Sequence, residues 1–199
     1  MEIVPRVKGI LLKPRETWLE IKEEPAEVKD LFTSYAAVLA AVPPLASFVG
    51  FSLVGLSLLG MHYRRPFFSG IGHLIVSYVF SLLGLYVVGL IIEALAPSFG
   101  SRKNQLQAMK VAVYSWTPAW LAGVLLIFPS LAPLSMLVSL YSLYLFYVGL
   151  PILMETPADK VIGYVIVTIL VSIVVSLVIG GLSSALFGFG RGGMMGGRY

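Results

Sequence analysis

Ionised side chains vanish from four long stretches of this chain: none lies between Asp30 and Arg64, Arg65 and Glu93, Lys110 and Glu155, or Lys160 and Arg191. A helix crosses a bilayer with about 20 consecutive apolar residues, so these gaps point to an integral membrane protein. Inside hydrocarbon every backbone N–H and C=O must be satisfied within the protein, which a helix achieves and a lone strand cannot. No alternating strand pattern is visible, so the expected fold is all-α. The gap after Lys110 is too long for one helix and contains Phe128-Pro129-Ser130-Leu131-Ala132-Pro133, where two prolines remove donors and bend the chain. Five transmembrane helices are therefore expected, at about 31–59, 70–95, 108–128, 134–154 and 161–187. They form one polytopic domain over 31–187, after an amphipathic segment at 1–30 and before a Gly-rich tail at 188–199 expected to be disordered.

The hydrophobic fraction of 58% and mean hydropathy of +0.91 fit a bundle that is apolar on its lipid faces as well as inside. Lys and Arg are retained on the cytoplasmic side during insertion. With the amino terminus inside, ten of them (Arg6, Lys8, Lys13, Arg15, Lys22, Lys29, Arg102, Lys103, Lys110 and Lys160) lie inside, and four (Arg64, Arg65, Arg191 and Arg198) outside. The expected location is the cell membrane, with the amino terminus cytoplasmic and the carboxyl terminus outside. The first apolar run follows some 30 polar and amphipathic residues, so no cleavable secretion signal is expected and the first span serves as the targeting signal. The absence of cysteine excludes disulfides, thiolate metal sites and a cysteine nucleophile. The net charge of +4 is too dispersed for a nucleic-acid partner.

Before the first span, Ile3, Val4, Val7, Ile10 and Leu11 fall on one helical face, with Arg6, Lys8 and Lys13 on the other. Pro14 opens a second short helix carrying Trp18 and Ile21 one turn apart. This is the pattern of interfacial helices, with Val7, Ile10, Leu11 and Trp18 at the membrane interface. They either cap the bundle or sense lipid or a partner. In the fifth span Thr168, Ser172, Ser176, Gly180, Ser184 and Gly188 repeat every four residues, and small residues in such a line let helices approach closely in lipid. Ser77, Ser81 and Gly84 in the second span and Ser135, Ser139 and Ser142 in the fourth are shorter versions. The stripe reads as helix packing, within one chain or in a homo-oligomer, or as a polar track for a solute or lipid headgroup.

Candidate chemistry is sparse. Glu93 is the one acid well inside an apolar run, where a charge is costly. It reads as a structural partner of Arg102, Lys103 or Lys110, or as a coupling site. Tyr114, Trp116 and Pro118 in the third span, and Tyr141, Tyr144 and Tyr147 in the fourth, read as packing or as the wall of a ligand cavity, with kinked backbone at Pro118 or Pro151 supplying acceptors. His62 and His73 lack the companions of a metal site. No hydrolase elbow, zinc-binding His pair or phosphate loop is present, so neither an enzyme nor a cofactor is expected.

Four motifs in order carry a family resemblance: Leu11-Leu12-Lys13-Pro14-Arg15-Glu16-Thr17-Trp18; Ala94-Leu95-Ala96-Pro97-Ser98-Phe99-Gly100; Tyr114-Ser115-Trp116-Thr117-Pro118-Ala119-Trp120; and Tyr141-Ser142-Leu143-Tyr144-Leu145-Phe146-Tyr147-Val148-Gly149-Leu150-Pro151 with Pro157, Lys160 and Gly163-Tyr164. From about Val7 to Val178 the chain resembles the Yip family of five-span membrane proteins in its compact prokaryotic form. The resemblance implies a cytoplasmic amino terminus and an outer carboxyl terminus. In eukaryotic relatives it implies roles in vesicle traffic, GTPase binding and membrane shaping. Here Asp30-Leu31-Phe32 lacks the Tyr-Gly-Pro continuation of their acidic motif, which leaves a GTPase partner in doubt. The expected function is membrane organisation or an adaptor role with the lipid bilayer as partner. The alternative is a small transporter, channel or lipid scramblase with its path near Glu93 and the tyrosines.

Overall fold

The computed structural model describes the backbone of residues 2–58 and 61–187, and the side chains of these except 56–63, 176 and 178–187. Two short helices, α1 (Ile3–Leu12) and α2 (Pro14–Glu23), form a hairpin that turns at Lys13. Long apolar helices follow: α3 (Val28–Val54), α4 (Phe67–Leu95), α5 (Gln105–Ile127), α6 (Pro129–Leu153) and α7 (Val161–Phe187). The first four of these segments are long and apolar enough to cross a bilayer, and α7 opens with a shorter apolar stretch, Val161–Val175. A short antiparallel pair, β1 (Leu56–Leu58) and β2 (Met61–Tyr63), joins α3 to α4 and holds the strands found among the described residues. The protein is all-α and polytopic.

The ends of α3 differ from expectation for identifiable reasons. It starts at Val28, and it stops at Val54 rather than near Leu59 because Gly55 adopts φ 83 and turns the chain into β1. In mid-helix it is interrupted at Ala41 and restarts with Pro43 and Pro44 in the first turn, where a missing N–H removes no helical bond. A single extended residue, Phe128, separates α5 from α6. Pro118 sits in the turn that restarts α5 after Trp116.

Close approaches hold the bundle where glycine removes a side chain. A Cβ on Gly123 would lie 2.6 Å from the Pro43 ring, and one on Gly50 would lie 2.0 Å from the carbonyl oxygen of Leu126. These two glycines let α3 sit directly against the end of α5. Helix α4 and the described part of α7 show the bilayer Ile75, Val79, Leu83, Ile166 and Leu170, all exposed.

The amino-terminal helices cap the bundle, one of the two readings expected of them, but the residues expected at the membrane interface are turned inward. Ile10, Trp18 and Ile21 are fully buried, so the face assigned to the membrane interface packs on protein instead. Val7 and Leu11 pack partly buried against the same core. The reason is a run of specific contacts along α6. Tyr141 donates its hydroxyl to the carbonyl of Leu11 at 3.0 Å, Trp18 lies over Gly149, and Lys22 meets Glu155 at 3.1 Å. In that order α2 runs parallel to the second half of α6. Lipid or solvent is met instead by Val4, Leu12 and Leu19.

Candidate functional site

The hairpin is held where helix ends leave carbonyls without partners. The last carbonyls of an α-helix have no intrahelical donor, and those of α2 are supplied from α5. Lys110 donates from Nζ to the carbonyls of Ile21 and Glu24, both at 2.6 Å, and Gln107 donates from Nε2 to that of Lys22 at 3.2 Å. Three residues apart, the two side chains share one face of α5. A cation at a helix C-terminus also meets the negative end of the helix dipole. Lys110 is only 2% exposed, so its charge is compensated by these carbonyls rather than by water.

Around this latch the aromatic residues find their places. Trp18 stands edge-on to Tyr114 with centroids 6.2 Å apart, and Tyr114 lies against Tyr35 at 4.8 Å. The Tyr35 and Thr117 hydroxyls are hydrogen-bonded at 2.9 Å. Arg6 of α1 sits 6.0 Å from the centroid of the Tyr114 ring and pairs with Glu24 and, at 3.5 Å, with Glu20. Glu24 thus joins both halves of the latch, with its carboxylate on Arg6 and its carbonyl on Lys110.

The end of α6 closes the site. Glu155, at φ 55, stops the helix and faces Lys22 at 3.1 Å and Arg102 at 3.7 Å. The hydrogen bond and attraction of Lys22, with a smaller effect of Arg102, hold the Glu155 carboxyl below its ordinary range. A carboxylate with a lowered folded pKa stabilises the fold above the ordinary carboxylate value, and that contribution is lost as pH falls through the folded one. The difference in thermal midpoint between the parent and Glu155→Gln is therefore expected to be small at neutral pH, as suits an exposed pair. It should close on acidification, and a gap unchanged across the titration would contradict the contact.

The other sequence candidates separate. The pairing expected for Glu93 is not formed: Lys110 turns to α2, Arg102 to Glu155, and among the described residues no ion pair includes Glu93. Tyr141 caps α1, but Tyr144 and Tyr147 are each 45% exposed on the outer face of α6 and do not form a buried cluster. Tyr141, Tyr78 and Tyr164 donate to the carbonyls of Leu11, Ala37 and Ile92, which lie away from the kinks at Pro118 and Pro151. Pro118 is buried in the bend of α5, and Trp116 is half exposed. Thr168 and Ser172 of the small-residue stripe line a cavity between α4, α5, α6 and α7. Ser176, Gly180, Ser184 and the 188–199 tail lie outside the described side chains. Sequence reasoning missed Gln107, Arg6, Tyr35 and Gly149; the i, i+3 pair Gln107 and Lys110 at the mouth of a span was the available signal. Among the described residues no three His, Asp or Glu side chains come together.

A bundle of apolar helices with a charged collar at one end defines a polytopic helical membrane protein. A family model for the Yip1 domain matches residues 8–180, and the chain belongs to that family. It is 24% identical over 188 residues to the inner membrane protein YohC of Escherichia coli strain K12, with 92% of this chain and 96% of that protein covered. The same figures hold for YohC of Escherichia coli O6:H1. No solved structure matches the chain.

Proposed function

We propose that this protein organises membrane without catalysing a reaction, using its amino-terminal hairpin as a rigid collar on the cytoplasmic side. The observation that carries the reading is the latch. Lys110, Gln107, Tyr141 and Trp18 fix α1 and α2 against the bundle, and the fixed hairpin keeps Val4, Leu12 and Leu19 facing outward. A collar at one end adds cross-section on that side of the bundle, which favours a curved bilayer. The ten-to-four distribution of Lys and Arg supports a cytoplasmic collar. The bilayer is the partner this surface fits.

The test is reconstitution of the full chain into liposomes of graded diameter, with protein density measured per unit membrane area. Density is expected to rise as diameter falls, and Leu12→Ser with Leu19→Ser should flatten the trend while leaving the buried latch intact. Equal density at every diameter would remove the reading. The second reading, a transporter, channel or scramblase, is favoured by the cavity beside α7, although neither Glu93 nor Tyr144 lines it. Ion leak and lipid scrambling measured in the same vesicles decide it, and Glu93→Gln is expected to leave either one unchanged.

A further inference from the structure

Among the described residues five hydroxyls in the membrane region are buried without a hydrogen-bond partner, and four of them, all but Ser52 of α3, line one cavity. Ser115, Ser142, Thr168 and Ser172 come from α5, α6 and α7, and each side-chain oxygen is buried and unpartnered. Ser115, Ser142 and Thr168 are 2%, 6% and 2% exposed. Other hydroxyls of these helices behave differently. Ser81 donates to the carbonyl of Tyr78, Ser135 to that of Ala122 and Ser139 to that of Ser135. Buried polar groups are nearly always satisfied, so four orphans around one space call for a ligand that brings oxygen.

The cavity holds about 560 Å³, within the range that takes a small organic ligand. Apart from the hydroxyls its walls are apolar, with no ionised side chain among them. At its rim Phe80, Trp116, Leu143 and Ile173 are exposed on the outside of the bundle, so the way in is from the bilayer. Ser115 lies five residues beyond Lys110 on α5, about 7.5 Å deeper at a helical rise of 1.5 Å per residue, below the charged collar. We infer that the cavity between α4, α5, α6 and α7 binds an uncharged bilayer amphiphile of the diacylglycerol class. Its acyl chain lies against the apolar walls, and its hydroxyl and ester oxygens bond Ser115, Ser142, Thr168 and Ser172. A charged headgroup is disfavoured because no opposite charge waits for it. The small-residue stripe on α7 then serves as the wall of a binding site, a role independent of the collar.

Gly84 supplies the control. It lies on the cavity wall, and a Cβ there would meet nothing within 4 Å, so Gly84→Leu fills the space without striking the backbone. The experiment is native mass spectrometry of the full chain titrated with dioleoylglycerol, with dioleoylphosphatidylglycerol and squalene as charged and oxygen-free comparisons. Thermal unfolding serves as the folding readout. Saturable one-to-one dioleoylglycerol binding is expected, about 10-fold tighter than either comparison, since each neutral hydrogen bond contributes on the order of a few-fold. Gly84→Leu should abolish it with thermal stability kept. Ser142→Ala with Thr168→Val should weaken it about 10-fold without lowering stability, because both remove orphaned groups. Equal binding of all three probes, binding that survives Gly84→Leu, or a lipid-free dimer as the saturating species would each overturn the assignment.

Discussion

Lys110→Met is expected to lower the stability of the protein by about 3 kcal/mol, because removing a buried, hydrogen-bonded cation costs the bonds and leaves acceptors unsatisfied. The loss should be local. The carbonyls of Ile21 and Glu24 each lose their donor, while Gln107 still reaches Lys22 and the helices behind α5 keep their packing. Hydrogen exchange in detergent or nanodiscs should show the amides of α1 and α2 losing protection while those of α4 and α6 keep theirs. Methionine matches the unbranched aliphatic stem of lysine, so the effect isolates the ammonium group. If exchange in α1 and α2 matched the parent, the latch would be held without Lys110, by Gln107, Trp18, Tyr141 and the ion pairs of Glu24 and Glu155.

Gly50→Ala should have the opposite distribution. The new methyl group would stand 2.0 Å from the Leu126 oxygen and 3.1 Å from that of Ile127. These are backbone atoms, so no rotamer change can make room. Overpacking typically costs about 1–3 kcal/mol, and a collision with main chain belongs at the top of that range or above it. Because Gly50 lies at the far end of α3 from the hairpin, the thermal midpoint should fall while exchange in α1 and α2 stays as in the parent. A stable Gly50→Ala protein would show that α3 and the end of α5 are not in close contact in the membrane.

The helix count was legible because charge is forbidden in hydrocarbon, and the gaps between Asp30, Arg64, Glu93, Lys110, Glu155 and Lys160 record that constraint directly. The break at Phe128 was legible from its prolines. The destination of the amino-terminal face was not. An apolar stripe states only that something covers Ile10, Trp18 and Ile21, and lipid and α6 satisfy the same pattern. Lys110 misled for a related reason. A cation in an apolar run suggests a nearby acid such as Glu93, but its partners are backbone carbonyls of α2, which carry no sequence signature. Gly149 was equally silent. A Cβ there would lie 2.8 Å from the Trp18 ring, a close approach between residues far apart in the chain. The hydroxyl track was visible as a repeat, but the orphaned state of Ser115, Ser142, Thr168 and Ser172 belongs to three dimensions.

The hairpin is made well before the helices that hold it. Leu11 leaves the ribosome 130 residues ahead of Tyr141, whose hydroxyl caps it, an interval of roughly 10 s at ordinary synthesis rates. Until Lys110 is made the carbonyls of Ile21 and Glu24 lack their donor, and until α6 follows the indole of Trp18 has no docking surface. The first 24 residues therefore act as a seal on assembly: they close only over a bundle whose third and fourth crossings are already in place.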